Sequence, residues 1–124
     1  MKRLKLGSRG SKLALWQADF VASQLSRIVP DLNVEVKVIK TKGDKILDVA
    51  LSRIGDKGLF TREIEKELLN GSIDMAIHSM KDLPSQLAPG LCIAAVLERE
   101  NPGDVLISRQ GYKFYDLPLG AVIG

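Results

Sequence analysis

The sequence predicts an α/β fold, a mixed, mainly parallel sheet with helices on both faces, and three observations carry that expectation. Strand-like alternation at residues 3–8 and 33–39 brackets a run of helical period. A second helical run at 59–69 precedes an apolar segment at 73–79. Strands that alternate with helices in this way belong to parallel sheets joined by right-handed crossovers. That apolar segment then stops on Lys81-Asp82, and open α/β folds place their ligands beyond the carboxyl ends of strands.

Leu4 and Leu6 share one face of the first strand, which Gly7-Ser8-Arg9-Gly10-Ser11 interrupts. Leu13, Trp16, Phe20, Val21, Leu25 and Ile28 then predict a helix with one apolar stripe, ended by Pro30. On that pattern Trp16 and Phe20 are core residues, and Phe60 is either core or part of a site. Val34, Val36 and Val38 alternate with polar neighbours in a half-buried strand. Residues 41–58 read as a long loop with glycines and scattered charges, a length that in compact domains accompanies function or disorder. Phe60, Ile64 and Leu68 at spacing four predict the next helix, with Glu63 and Glu67 outward and Gly71 as its stop. A strand is expected at 73–79 and another at 90–97. Glu98 to Asp104 forms a charged, breaker-rich joint, so domains are placed at 1–99 and 100–124, the second beginning with strand-like 105–108 and 121–124.

The 124 residues carry 18 basic and 15 acidic side chains, for a net charge of +3. This mild excess suits a small anion and lacks the Lys/Arg runs of a nucleic-acid-binding arm. Neither an eighteen-residue apolar run nor a signal-peptide core is present, so the expectation is a cytoplasmic chain with no membrane partner. Cys92, the single cysteine, is expected as a buried apolar filler, and one cysteine plus one histidine are too few soft ligands for zinc. The spacing at Gly7 to Lys12 fits neither a P-loop nor a dinucleotide fingerprint.

Arg9 and Ser11 stand between the first strand and the first helix, where an anion can be held; alternatively Ser11 is only a helix cap and Arg9 a surface charge. In a parallel sheet the first and third strands end at the same crevice, which brings Arg9 and Ser11 to Ser79, Lys81 and Asp82. An ionised Asp82 among cations would stabilise a positive charge better than it would donate a proton. His78 reads as a packed histidine. Lys57, between Gly55 and Gly58, is the loop cation free to swing.

These motifs together resemble the porphobilinogen deaminase (hydroxymethylbilane synthase) family. The likeness rests on Gly7-Ser8-Arg9-Gly10-Ser11-Lys12-Leu13-Ala14-Leu15-Trp16-Gln17-Ala18, Lys42-Gly43-Asp44, Gly55-Asp56-Lys57-Gly58-Leu59-Phe60, Asp74-Met75-Ala76-Ile77-His78-Ser79-Met80-Lys81-Asp82-Leu83-Pro84, Glu98-Arg99-Glu100 and Asn101-Pro102-Gly103-Asp104. The resemblance implies a transferase of tetrapyrrole and haem biosynthesis that condenses four porphobilinogen molecules into hydroxymethylbilane, expelling ammonia at each step through an azafulvene electrophile. It implies that Asp82 is the catalytic carboxylate beside the pyrrole nitrogens, and that Arg9, Ser11, Lys57, Ser79 and Lys81 hold acetate and propionate groups of cofactor or substrate. Asp44 and Phe60 would lie near the active-site loop. The implied partners are porphobilinogen and the growing oligopyrrole, the implied state a monomer, and the implied fold a type II periplasmic-binding-protein-like domain, here truncated.

The family's dipyrromethane cofactor is implied to hang on a cysteine that this chain lacks, since the surroundings of Cys92 match a first-domain strand. The isolated chain is therefore expected to be inactive. The contrasting reading is a non-catalytic small-anion-binding module of periplasmic-binding type, which accounts for Arg9 and Ser11 but gives no reason for an aspartate among cations.

Overall fold

The computed structural model describes residues 2–46 and 58–124. The chain divides into two units, Met1–Cys92 and Ile93–Gly124. In the first, β1 (Lys2–Ser8), α1 (Lys12–Ile28) and β2 (Leu32–Val38) are followed by the short α2 (Lys42–Lys45), then α3 (Arg62–Leu69) and β3 (Met75–Ala76). The strand order is β2-β1-β3, and both pairings are parallel. β1 therefore sits at the centre, with Leu6 opposite Val36 on one side and Met75 on the other. The fold class is α/β, as the alternation of periods predicts.

Gly7 belongs to β1 and does not interrupt it. A Cβ there would run into Ile73 Cδ1 and crowd Ile39 Cδ1, so the missing side chain lets the strand lie directly on the Ile39, Ile64 and Ile73 cluster beneath α3. Successive strand residues face opposite ways, which puts the fully buried Leu6 on the other face.

The apolar stripe expected on α1 resolves into two faces. Ala18 and Val21 are buried, while Trp16 and Phe20 are 59% and 40% exposed and Leu13 and Ile28 are exposed too. At 3.6 residues per turn, Ala14, Ala18, Val21 and Leu25 form one row and Leu13, Trp16 and Phe20 another, roughly 140° away. Small residues allow the helix to approach β1 and β2 closely, so the helix packs by its alanine row and not by its largest side chains. Trp16 and Phe20 are thus not core; their rings stack on each other, centroids 5.5 Å apart.

Four further expectations change. Residues 42–45, read as loop, form a helical turn closed by a capping box between Thr41 and Asp44; residues 47–57, including Lys57, lie outside the described residues. The strand expected at 73–79 is reduced to Met75–Ala76, although Asp74 N–H donates to Lys5 O and Ile77 N–H to Gly7 O on either side. The segments 90–97, 105–108 and 121–124 form no strands, and Cys92 is exposed. A strand-like sequence becomes a strand only where a neighbour takes its backbone groups, and none of these segments pairs with β1, β2 or β3.

α3 starts after a turn at 58–60 and ends as expected at Gly71, whose φ of 74° suits the left-handed stop. Gly71 N–H donates to Leu68 O and Ser72 N–H to Glu67 O. Its glutamates are not idle surface charges. Glu63 Oε1 accepts from the Lys42 amide at 2.9 Å, and Glu67 Oε2 pairs with Lys37 Nζ at 2.7 Å, tying α3 to α2 and β2. In the unit Ile93–Gly124 a single 3-10 turn, Phe114–Asp116, is present, and Val105, Ile107, Tyr115 and Val122 are exposed.

Candidate functional site

Parallel pairing brings the site together. Ile77 N–H reaches Gly7 O at 3.0 Å, so β1 and β3 finish side by side and release their next residues at one edge. After β1 the chain passes Arg9 and enters α1, capped by Ser11, whose hydroxyl accepts from Ala14 N–H at 3.3 Å. Ser8 steadies this turn from below: it is fully buried, and its hydroxyl lies 3.1 Å from both Arg9 O and Ala14 O. After β3 the chain tightens into a 3-10 turn, Met80–Asp82, closed by Asp82 N–H to Ser79 O at 2.9 Å.

Between these turns lies a cleft of about 110 Å³ lined by Arg9, Ser11, Leu13, Ala14, Gln17, Ile77, His78, Ser79, Lys81 and Asp82. Five of the residues singled out in the sequence, Arg9, Ser11, Ser79, Lys81 and Asp82, share it. A wider depression of about 390 Å³ beside Arg3, Asn33, Val34 and Glu35 lies at the opposite ends of β1 and β2, away from where parallel sheets bind ligands. The cleft falls short of the roughly 300–1,000 Å³ that encloses an organic ligand.

Asp82 Oδ1 accepts from Lys81 Nζ at 2.7 Å, with the Lys81 side chain 78% exposed and that of Asp82 only 24%. Lysine is therefore the solvent-facing partner and aspartate the shielded one. Gln17, named above only within the Gly7 to Ala18 motif, projects from α1 and shares a hydrogen bond with Ser79 Oγ at 3.2 Å. A polar residue four positions after Leu13 on a helix that borders a site was the available signal.

Arg9 is not free to grip a ligand with its whole fork. Its Nη2 and Nε donate to Asp44 Oδ1 at 2.6 and 3.1 Å, and its guanidinium lies 4.1 Å from the centre of the Phe60 ring. Asp44 and Phe60 therefore stand beside Arg9 and not among the residues lining the cleft. Burial raises the pKa of Asp44, but hydrogen bonds from Arg9 and Thr41 outweigh it and hold the carboxyl below its usual range.

His78 also lines the cleft, half-buried. Removal from water lowers its pKa more strongly than the nearby Asp82 and Glu65 carboxylates raise it, with Arg9 adding to the lowering. A histidine that is harder to protonate when folded makes the unfolded state the better proton binder, so stability is full above 6.5 and falls as pH drops from 6.5 through the lower folded value. We expect the urea midpoint to decline across that window and His78→Gln to flatten the decline; an unchanged slope in the variant would assign the loss to other groups. Asp44 acts in a separate window, since its contribution is lost only below 3.8.

Residues 4–124 match the family model described as "Porphobilinogen deaminase, dipyromethane cofactor binding domain". Among curated relatives, porphobilinogen deaminase of Syntrophomonas wolfei is 71% identical over 124 residues, which is 100% of this chain and 40% of that protein. The Carboxydothermus hydrogenoformans protein of the same name is 61% identical over 99% of this chain and 40% of its own length. That of Desulforamulus reducens is 55% identical over 98% and 40%. The chain thus spans about two-fifths of the length of the curated relatives it matches.

Proposed function

This chain belongs to the porphobilinogen deaminase family, and from that premise we propose that it supplies the catalytic-aspartate wall of an enzyme that joins four porphobilinogen molecules into hydroxymethylbilane with release of ammonia. The observation that carries the proposal is the shared cleft: a shielded Asp82 with Arg9, Lys81, Ser11 and Ser79 around it. Porphobilinogen offers two carboxylates and a pyrrole that becomes positively charged as ammonia leaves. Cations and hydroxyls around the rim suit the carboxylates, and a shielded aspartate suits the transient cation.

In this reading Asp82 accepts the pyrrole N–H and stabilises positive charge as the aminomethyl group departs. Arg9 and Lys81 orient the acetate and propionate arms, helped by Ser11, Ser79 and Lys57. Asp44 and Phe60 belong to the surroundings of the active-site loop. The donor set fits the acid side chains of a dipyrromethane cofactor equally well, and such a group would supply the primer on which the pyrrole chain grows. Arg9, Ser79 and Lys81 would hold its carboxylates, whereas Cys92, exposed and not among the cleft residues, offers it no anchor. The remaining assignments are a first domain of periplasmic-binding type over 1–99, a second beginning at 100, and a cytoplasmic, monomeric enzyme without nucleic-acid or membrane partners.

The test joins this chain to the remaining three-fifths of the Syntrophomonas wolfei relative and measures ammonia release and hydroxymethylbilane formation from porphobilinogen. Turnover by the joined protein and none by the 124-residue chain is expected. An inactive joined protein beside an active parent would reject the proposal. Tight binding of simple dicarboxylates that ignores Asp82→Asn would favour the anion-binding module instead.

A further inference from the structure

Arg9 is held on two sides by its own chain. Asp44 Oδ1 takes the Nε–Nη2 edge at 3.1 and 2.6 Å, Phe60 lies against the guanidinium, and the side chains of Arg9 and Asp44 are only 21% and 23% exposed. Asp44 is itself fixed. Its Oδ2 accepts from Thr41 N–H at 3.2 Å and Thr41 Oγ1 at 2.8 Å, and Thr41 is fully buried. Gly43 completes the arrangement, because any Cβ there would overlap the Phe60 ring. Each carboxylate oxygen of Asp44 thus has its own task, one on Arg9 and one on Thr41.

A guanidinium has five N–H groups, and carboxylates bind it best through two parallel ones. With Nε and one Nη2 hydrogen engaged by Asp44, the fork left is Nη1 with the other Nη2 hydrogen. We propose that Asp44 is a positioning residue for Arg9, holding one edge of the guanidinium so that the other edge takes a single ligand carboxylate. This rests on the proposed function for its substrate, whose acid arms are the carboxylates in question. Displacement of Asp44 by the ligand is the other conceivable arrangement, but it would strip the buried Thr41 hydroxyl and amide of their acceptor.

The test has two arms. In the full chain with 15N-labelled arginine, the Arg9 Nε–H of the native protein exchanges slowly with water, and Asp44→Asn speeds that exchange at least about tenfold, as expected for loss of a charged hydrogen bond. Thr41→Val, which keeps both charges, speeds it less. Adding porphobilinogen shifts the Nη signals and leaves Nε–H protected. In the joined enzyme, Asp44→Asn raises KM for porphobilinogen about ten- to a hundredfold with kcat changed about threefold or less, and Asp44→Glu partly restores KM. Equal Nε–H exchange in native and Asp44→Asn chains overturns the proposal, as does loss of protection on adding porphobilinogen, or a fall in kcat with KM unmoved. If the joined enzyme of native sequence lacks turnover, the proposed function fails, and the exchange arm still decides what Asp44 does to Arg9.

Discussion

Asp82→Asn is expected to lower turnover of the joined enzyme by about two to three orders of magnitude while leaving KM for porphobilinogen within a few-fold. The substitution keeps the volume and one acceptor oxygen but removes the charge. At an effective dielectric of about 20, opposite charges ~4 Å apart attract by roughly 4 kcal/mol, and each ~1.4 kcal/mol lost from a transition state is tenfold in rate. That attraction exists only once the pyrrole nitrogen carries charge, so the deficit belongs in kcat. The position of Asp82 makes the change specific, because its side chain is three-quarters shielded and its backbone is pinned by the turn from Ser79. Lys81→Ala provides the contrast. Its side chain is 78% exposed, and such pairs contribute about 0–1 kcal/mol, so the lost ion pair should leave kcat nearly unchanged and the main effect should be a higher KM, from the loss of a cation that orients the acid arms. Undiminished turnover in Asp82→Asn would remove the carboxylate from the chemistry altogether.

The parts of this site that could be read from the sequence are those that depend on strand direction. A parallel sheet requires that the ends of β1 and β3 meet, and Gly7 opposite Ala76 is enough to bring Arg9 and Asp82 to one cleft. Gly71 as the end of α3 was equally legible, since a helix followed by glycine has few other continuations. What escaped were the choices made between elements. Nothing in the period of residues 41–58 says that Asp44 will close a helical turn and capture an arginine 35 positions earlier. Gln17 was given no role of its own, because nothing in the helical period says that it will face Ser79. Large side chains misled most. Trp16 and Phe20 dominate the helical stripe by hydrophobicity, yet close packing on β1 and β2 favours the thinner face carrying Ala18. The same limit applies to 90–97, whose residues suit a strand but have no neighbour to make them one.

Ile64→Ala is expected to remove about 2–5 kcal/mol of stability, a large share of the roughly 5–15 kcal/mol available to an ordinary domain. Ile64 is fully buried on α3 against Ile39 and Ile73, with Leu68 and Ala76 packed around them. Ile39 continues β2 and donates to Ser8 O at 2.8 Å, and Ile73 leads into β3, so this one side chain joins the helix to segments flanking β2 and β3. Gly7 leaves no room for the strands to close over a cavity, because β1 already lies directly on Ile73 and Ile39. A void left by truncation would therefore stay largely unfilled, which places the expected loss toward the upper part of the range. Ile64→Val, lacking one methyl group, should lose only about 0.5–1.5 kcal/mol. Urea unfolding of the two variants measures both numbers, and a loss below about 1 kcal/mol for Ile64→Ala would mean that the cluster does not hold β3 against β1. The effect reaches the cleft by geometry alone. Residues 79–82 take their position from β3, so loosening Ile73 moves Asp82 relative to Arg9 even though Ile64 touches neither, and in the joined enzyme turnover should fall for Ile64→Ala under conditions where the protein is still folded.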